Sequence, residues 1–212
     1  MKQIDITTWP RRKHFEVFNS FDFPHFNLCA NVDISNLYAL AKAKRKSLHT
    51  TLVYIISRTA NDYPEFRWRI RKDKVVEHDI VHPSASILSS DDLFSFCTMR
   101  FYPAFAEFYP NAESTIEHTK LHPKLEDEPG QDDLLFMTSI PWISFTGIMH
   151  PIHMHPVDSV PRFAWGKFFK QNDRIMLPLS VQVHHALMDG FHVGRFYLKL
   201  QQYLDAPETW LI

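Results

Sequence analysis

Helix-like and strand-like stretches follow one another irregularly along this chain, which excludes the repeated βαβ winding of a wholly parallel sheet. Residues 33–66 read as two helices. Asp33 or Ser35 can cap the first, and Leu52, Ile55 and Ile56 give the second an apolar face. Residues 72–88 read as short strands broken at His82-Pro83, and residues 92–101 as a further strand. Residues 103–121 read as a helix interrupted at Pro110, whose ring removes a backbone donor. The acidic stretch 122–133, with its Pro129-Gly130 pair, reads as a surface loop. Residues 134–149, "LLFMTSIPWISFTGIM", are rich in β-branched and aromatic side chains, as strands are, and 174–183 form another strand. Residues 190–207 close the chain as a helix with Val193, Tyr197, Leu200 and Leu204 on one face. The expected class is α+β, a mixed sheet covered by helices.

At 212 residues, with 45% hydrophobic and 14% aromatic side chains, the chain can fill one domain spanning 1–212 without disulfides. A formal charge of −1 gives no global field for nucleic acid or an acidic membrane, so neither is expected as a partner. Cys29 and Cys97 stand outside any Cys-x-x-Cys pair, as reduced residues of a cytoplasmic protein do. "MKQIDITTWPRRKHF" lacks the apolar core of a signal peptide. No window reaches the roughly 18 consecutive apolar residues of a membrane span. The expected location is the cytoplasm.

The stretch with the most chemistry is 180–195, "SVQVHHALMDGFHVGR". Three readings of His184, His185 and Asp189 compete. Asp189 can be the N-cap of the last helix, with the histidines filling a strand end. His185 and Asp189 can be metal ligands, helped by His150, His153 and His155, although the spacing matches no strong metal motif. Or a neutral imidazole at the strand mouth can act as a general base towards an alcohol. Composition and spacing leave these open.

"QVHHALMDGFHVGRFYLKLQQYLD" resembles the C-terminal signature of the chloramphenicol acetyltransferases, trimeric acyltransferases of antibiotic resistance. Their motif is His-His-x-x-x-Asp-Gly followed by Phe-His-Val. The bare motif is shared with other CoA-dependent acyltransferases and with peptide-synthetase condensation domains. "WPRRKHFEVF", "YPEFRWRI", "VHP", "SIPWISF" and "NDRIMLPLSVQVHH" carry the likeness over most of the chain, most weakly at 86–135.

The resemblance implies the CoA-dependent acyltransferase fold, a large mixed β-sheet flanked by helices. It implies acetyl-CoA as cosubstrate, no metal, and O-acetylation of chloramphenicol or a similar hydroxylated small molecule. Position by position, His185 is the base, oriented mainly through its own backbone carbonyl, while His184 is structural. Asp189 pairs with Arg11 to support the site. Thr138 stands where the family has its oxyanion-binding serine. Ser139 would turn to the other strand face, and Thr138 itself can also be read as a locally bonded strand residue. Ala164 replaces a family threonine. Lys167 and Phe168 match a CoA-binding element, although a solvated lysine beside a buried phenylalanine explains them equally. Lys46 is a loose further candidate for CoA. Phe18 and His150 are the acceptor-binding residues, His150 standing where an apolar side chain is expected. The family is a homotrimer with active sites between subunits, which would put His185 on one wall and Phe18 on the neighbour's. Alternatives are acyl transfer to an unrelated alcohol or amine, and a non-catalytic small-molecule-binding homologue.

Overall fold

A computed structural model describes residues 1–89, 92–125 and 130–212. In chain order, β1 (Lys2–Ile4) precedes α1 (Arg12–Phe18), β2 (His25–Asp33), α2 (Ser35–Ala43) and α3 (Leu48–Asn61). β3 (Trp68–Arg71), β4 (Lys74–Glu77), β5 (His82–Leu88), β6 (Phe94–Thr98) and α4 (Phe105–Leu121) follow. β7 (Leu134–Ile140), β8 (Arg162–Gly166), β9 (Phe169–Gln171), β10 (Arg174–His184) and α5 (Gly190–Asp205) complete the order. No described helix is long and apolar enough to cross a membrane.

The main sheet runs β2-β10-β8-β7-β5-β6, with β9 also paired to β10. It is mixed: β5, β7 and β8 pair in parallel, while β10 is antiparallel to β2, β8 and β9. A small antiparallel sheet, β1-β4-β3, lies apart from it. Side chains alternate between sheet faces along each strand. On β10, Leu177, Leu179, Val181 and Val183 join the core together with Phe163, Trp165, Met137 and Ala85. The helices α3, α4 and α5 pack against this layer. The other face carries Ser84, Ser86, Thr138, Arg162, Ser180, Gln182 and His184, and residues 141–161 cross part of it as an irregular strap. Three contacts tie the strap down: Asn27 Nδ2 donates to Ile148 O, His150 N to Gln182 Oε1 at 2.8 Å, and His25 Nε2 lies 2.7 Å from Asp158 O. Gly166 lets it pass close, since a Cβ there would meet Ile143 O at 2.9 Å.

Several local expectations need correction. The strand break falls before His82, and β5 runs through Pro83, whose missing N–H is tolerated at the second position of the strand. The strand character of 134–149 ends at Ile140, because Pro141 cannot continue the ladder and the aromatic residues beyond it form the strap. The acidic loop was expected over 122–133; its residues 126–129 lie outside the described residues. α3 is buried on every side rather than along one face. Its buried hydroxyls on Thr51, Ser57 and Thr59 donate to the carbonyls four residues back, at 2.6, 2.7 and 2.7 Å. For the first of the two helices, Asp33 is the side chain that accepts, from Ser35 N at 2.9 Å.

α4 is continuous through Pro110. Phe105, Phe108, Ala112, Ile116 and Thr119 are buried along one stripe while Pro110 sits on the exposed side, so only a solvent-facing hydrogen bond is lost. Pro110→Ala restores that bond at the expense of a freer unfolded chain, and should raise unfolding stability by roughly 1–2 kcal/mol. A urea midpoint equal to or below that of the parent would contradict this account.

Candidate active site

β10 ends at His184, and the chain turns through 185–188 into the helix capped by Asp189. His185 N donates to Pro24 O at 2.7 Å, and Leu187 N and Met188 N both donate to His184 O. The neighbouring histidine is sealed. His184 Nδ1 accepts from Ala186 N at 3.2 Å, and its ring meets His25 edge-on with centroids 4.9 Å apart. Burial first, then the nearby His25 and His185, push the His184 pKa down to about 3, so this ring is neutral at pH 7.

His185 stands differently. Its ring lies flat on Phe18, with centroids 3.8 Å apart and planes 4° from parallel, and Phe26 closes the side at 4.7 Å. Nδ1 is buried without a hydrogen-bond partner, whereas Nε2 is not sealed. The expected orienting bond from the ring to its own carbonyl is replaced: that carbonyl accepts from Arg11 Nη2 at 3.3 Å, and aromatic stacking fixes the ring. Phe18 therefore shares a wall with His185 in one chain. This corrects its expected place on a neighbour, and α1 explains it by ending directly over the β10 turn.

Arg11 also donates from Nη1 to Asp189 Oδ2 at 2.8 Å. Asp189 Oδ1 accepts from Phe191 N at 3.0 Å, and Asp189 N donates back to His192 Nδ1 at 3.2 Å, completing a capping box. Helix cap and ion pair thus coexist on the two carboxylate oxygens. Burial pushes the Asp189 carboxyl up, but the Arg11 hydrogen bond and the charges of His192 and Arg11 outweigh it and hold the pKa at about 2.

Thr138 lies elsewhere. Thr138, Ala164 and Ser180 stand in register across β7, β8 and β10, and His185 is five residues beyond Ser180. At about 3.3 Å per residue and 4.8 Å per strand, Thr138 and His185 are roughly 19 Å apart within one chain. Thr138 Oγ1 is 3.5 Å from Ser86 Oγ, and both line an open cavity of about 740 Å³. His150, Trp142, Phe136 and Arg162 line it too. Ser139 pairs with Trp165, a core residue, and so faces the helix side as alternation requires. The Ala164 methyl lies between Thr138 and Ser180, and the Ser180 hydroxyl is engaged with Asn27 Oδ1 at 2.7 Å. The alanine itself brings no hydroxyl to that point.

Lys167 is exposed, its N–H bonded to Ile143 O. Phe168 is 39% exposed and tilted against Tyr38 at 5.2 Å, so it is not the buried phenylalanine of the alternative reading. Lys46 is held over the Tyr109 ring at 4.2 Å. Among the described residues, no three His, Cys, Asp or Glu side chains converge as metal ligands do. Sequence reasoning missed Phe26 and the buried Arg162–Asp158 ion pair. A lone arginine in the apolar run "VPRFAW" was the available signal for the second.

The family model for chloramphenicol acetyltransferase matches residues 1–201. A chloramphenicol acetyltransferase of Clostridium perfringens is 34% identical over 211 residues, covering 98% of this chain and 96% of that protein. The chain belongs to the chloramphenicol acetyltransferase family. Among solved structures, a chloramphenicol acetyltransferase superposes with a TM-score of 0.86 at 26% identity, over 96% of this chain and 100% of the other. The cubic core of the pyruvate dehydrogenase multienzyme complex shares the fold at TM-score 0.72 and 18% identity, over 100% and 94%. The mixed sheet flanked by helices is thus the fold of the chloramphenicol acetyltransferases and of related acyltransferase cores.

In this family member the ion pair can be tested apart from the cap, because Asn caps as well as Asp. Asp189→Asn leaves Arg11 unpaired and should lower stability at pH 7 by roughly 2 kcal/mol. The folded carboxyl has a pKa below its unfolded value, so its contribution is present above about pH 4 and lost as pH falls towards about 2. Urea midpoints of parent and variant should therefore converge over that window. A constant gap down to pH 2 would show that the charge is not what stabilises the turn.

Proposed function

We propose that the protein is an acetyl-CoA-dependent O-acetyltransferase acting on chloramphenicol or a similar hydroxylated small molecule. One observation carries this reading: an imidazole with an open Nε2, fixed by a stacked ring and by an arginine that also grips the helix cap. Acetyl-CoA supplies the activated acetyl group. His185 Nε2 takes the proton of the acceptor hydroxyl as its oxygen bonds to the thioester carbonyl carbon. Thr138 Oγ1 donates to the carbonyl oxygen as negative charge develops there. When the carbon–sulfur bond breaks, His185 returns the proton to the sulfur, leaving the acetyl ester and free CoA.

Lys167 and Phe168 would hold CoA. An exposed cation beside exposed Phe168, which leans on half-buried Tyr38, suits phosphate and adenine. His150 and Phe18 would contact the acceptor, and His184 has a structural role. The 212 residues act as one cytoplasmic domain, with chloramphenicol resistance as the consequence of the reaction. The separation of His185 from Thr138 supports a homotrimer, in which one subunit's His185 meets its neighbour's Thr138. Apolar side chains exposed at both places support it further: Phe21 and Phe23 near His185, and Leu88 and Phe94 at the cavity.

Thiol release from acetyl-CoA with chloramphenicol tests the reading. His185→Ala should lower kcat by about 100- to 10,000-fold while CoA still binds. Thr138→Ala should lower it by about 100-fold, and Thr138→Ser should keep most of it. Undiminished turnover by His185→Ala would end the proposal. For assembly, light scattering should give three times the 25.0 kDa chain mass, and a monomer at micromolar concentration would remove the shared site.

A further inference from the structure

Among the polar side chains that line the cavity of about 740 Å³ is the imidazole of His150, which neither the base nor the oxyanion donor requires. Its backbone N–H is held by Gln182 Oε1 at 2.8 Å. Two atoms in this corner are buried without partners: His150 Nε2 and the Gln182 amide nitrogen. The amide nitrogen can only donate. The positive charge acting on the ring is that of Arg162. Sealed Nε2 has no acceptor within reach, so a proton there would be an unpaired buried donor; the ring proton therefore belongs on Nδ1, the nitrogen that is not sealed. Burial, and after it Arg162, hold the pKa of this ring at about 4, so it is neutral at pH 7.

Among the described lining residues, Arg162 and Asp158 are the only arginine, lysine, aspartate or glutamate side chains. They are engaged with one another, and Arg162 Nη1 also donates to Val160 O at 2.9 Å. An ammonium group entering here would find no free carboxylate, and an unpaired buried charge is costly.

We propose that His150 is a specificity-determining residue whose Nδ1–H selects uncharged acceptors carrying a nitro or carbonyl oxygen and disfavours cationic amines. This rests on reading the cavity as the acceptor site. The discrimination comes from the site itself, because a donor built to meet an oxygen is left unpaired when the oxygen is missing.

The test uses chloramphenicol and three analogues in which the para-nitro group becomes acetyl, hydrogen or aminomethyl. Binding to the assembled His185→Ala protein is measured by calorimetry, and turnover by the parent protein through thiol release. The nitro and acetyl compounds should bind about tenfold tighter than the hydrogen analogue, and the aminomethyl compound most weakly. His150→Leu in the same background should bring the nitro, acetyl and hydrogen compounds to within about twofold. Nitrogen-15 spectra of the labelled parent should place the His150 proton on Nδ1, a readout that does not depend on the variant folding. Absence of any preference for the oxygen-bearing compounds, tightest binding of the aminomethyl compound, or a proton on Nε2 would overturn the proposal. Selective binding without acetyl transfer by the parent would uphold it and overturn the acetyltransferase reading alone.

Discussion

Strict two-residue alternation along β10 governs the rest of the molecule. This strand pairs with β2, β8 and β9 and so sets the register of half the sheet. Leu177, Leu179, Val181 and Val183 must all face the helices, and each buried aliphatic side chain contributes about 1.5–3 kcal/mol. Ser180, Gln182 and His184 then have no choice but the opposite face. A slip of one residue would turn three polar groups into the core and four aliphatic ones out of it. The adjacent histidines inherit different surroundings from the same rule. His184 is the last residue in the ladder and is buried, whereas His185 is the first outside it and its ring is free to meet α1.

That freedom is removed by the N-terminal segment. α1 has seven residues, too few to be stable alone. It is held by Phe15, which is buried in the core, and by Trp9, which packs edge-on against Trp68 at 5.1 Å. Anchored in this way, α1 presents Phe18 to His185, while Arg11 just before it reaches both the His185 carbonyl and the Asp189 carboxylate. One arginine thus ties the strand end to the helix start, and the four-residue turn between them has little room to move. The ring is oriented by packing, and its Nδ1 has no hydrogen-bond partner among the described residues.

Much of this order was legible in the sequence. The apolar run 174–183 and the helical pattern after Asp189 each specify their element through local periodicity, and Asp189 caps where an Asp-Gly before a helix should. The Arg11–Asp189 pair was not legible from spacing, since 178 residues separate the partners, and only the family resemblance joined them. Pro110 and Pro83 were misread because the single hydrogen bond each deletes was weighed without the buried side chains that hold α4 and β5 in place. Residues 141–149 were misread as strand for the opposite reason. Their aromatic composition suits a strand, yet they spend it on covering one. Phe18 was placed on the wrong wall because a resemblance transfers which residues matter, not which chain they reach from.

The polar face of the sheet explains why that covering is a strap and not a helix. His25, Asn27, Ser180, Gln182 and His184 lie side by side on β2 and β10. An apolar helix laid over them would leave donors and acceptors unpaired, which is costly in a buried layer. An irregular segment has unused backbone groups to offer, and those of Ile148, His150 and Asp158 meet Asn27, Gln182 and His25. The strap can cover only the strands that carry such partners. Over β5, β6 and β7 the same face turns to short serine and threonine hydroxyls among phenylalanines, and there the cavity remains open. The boundary between strap and cavity is therefore drawn by side-chain chemistry on the strands beneath, and His150 sits on that boundary because its backbone belongs to one side and its ring to the other.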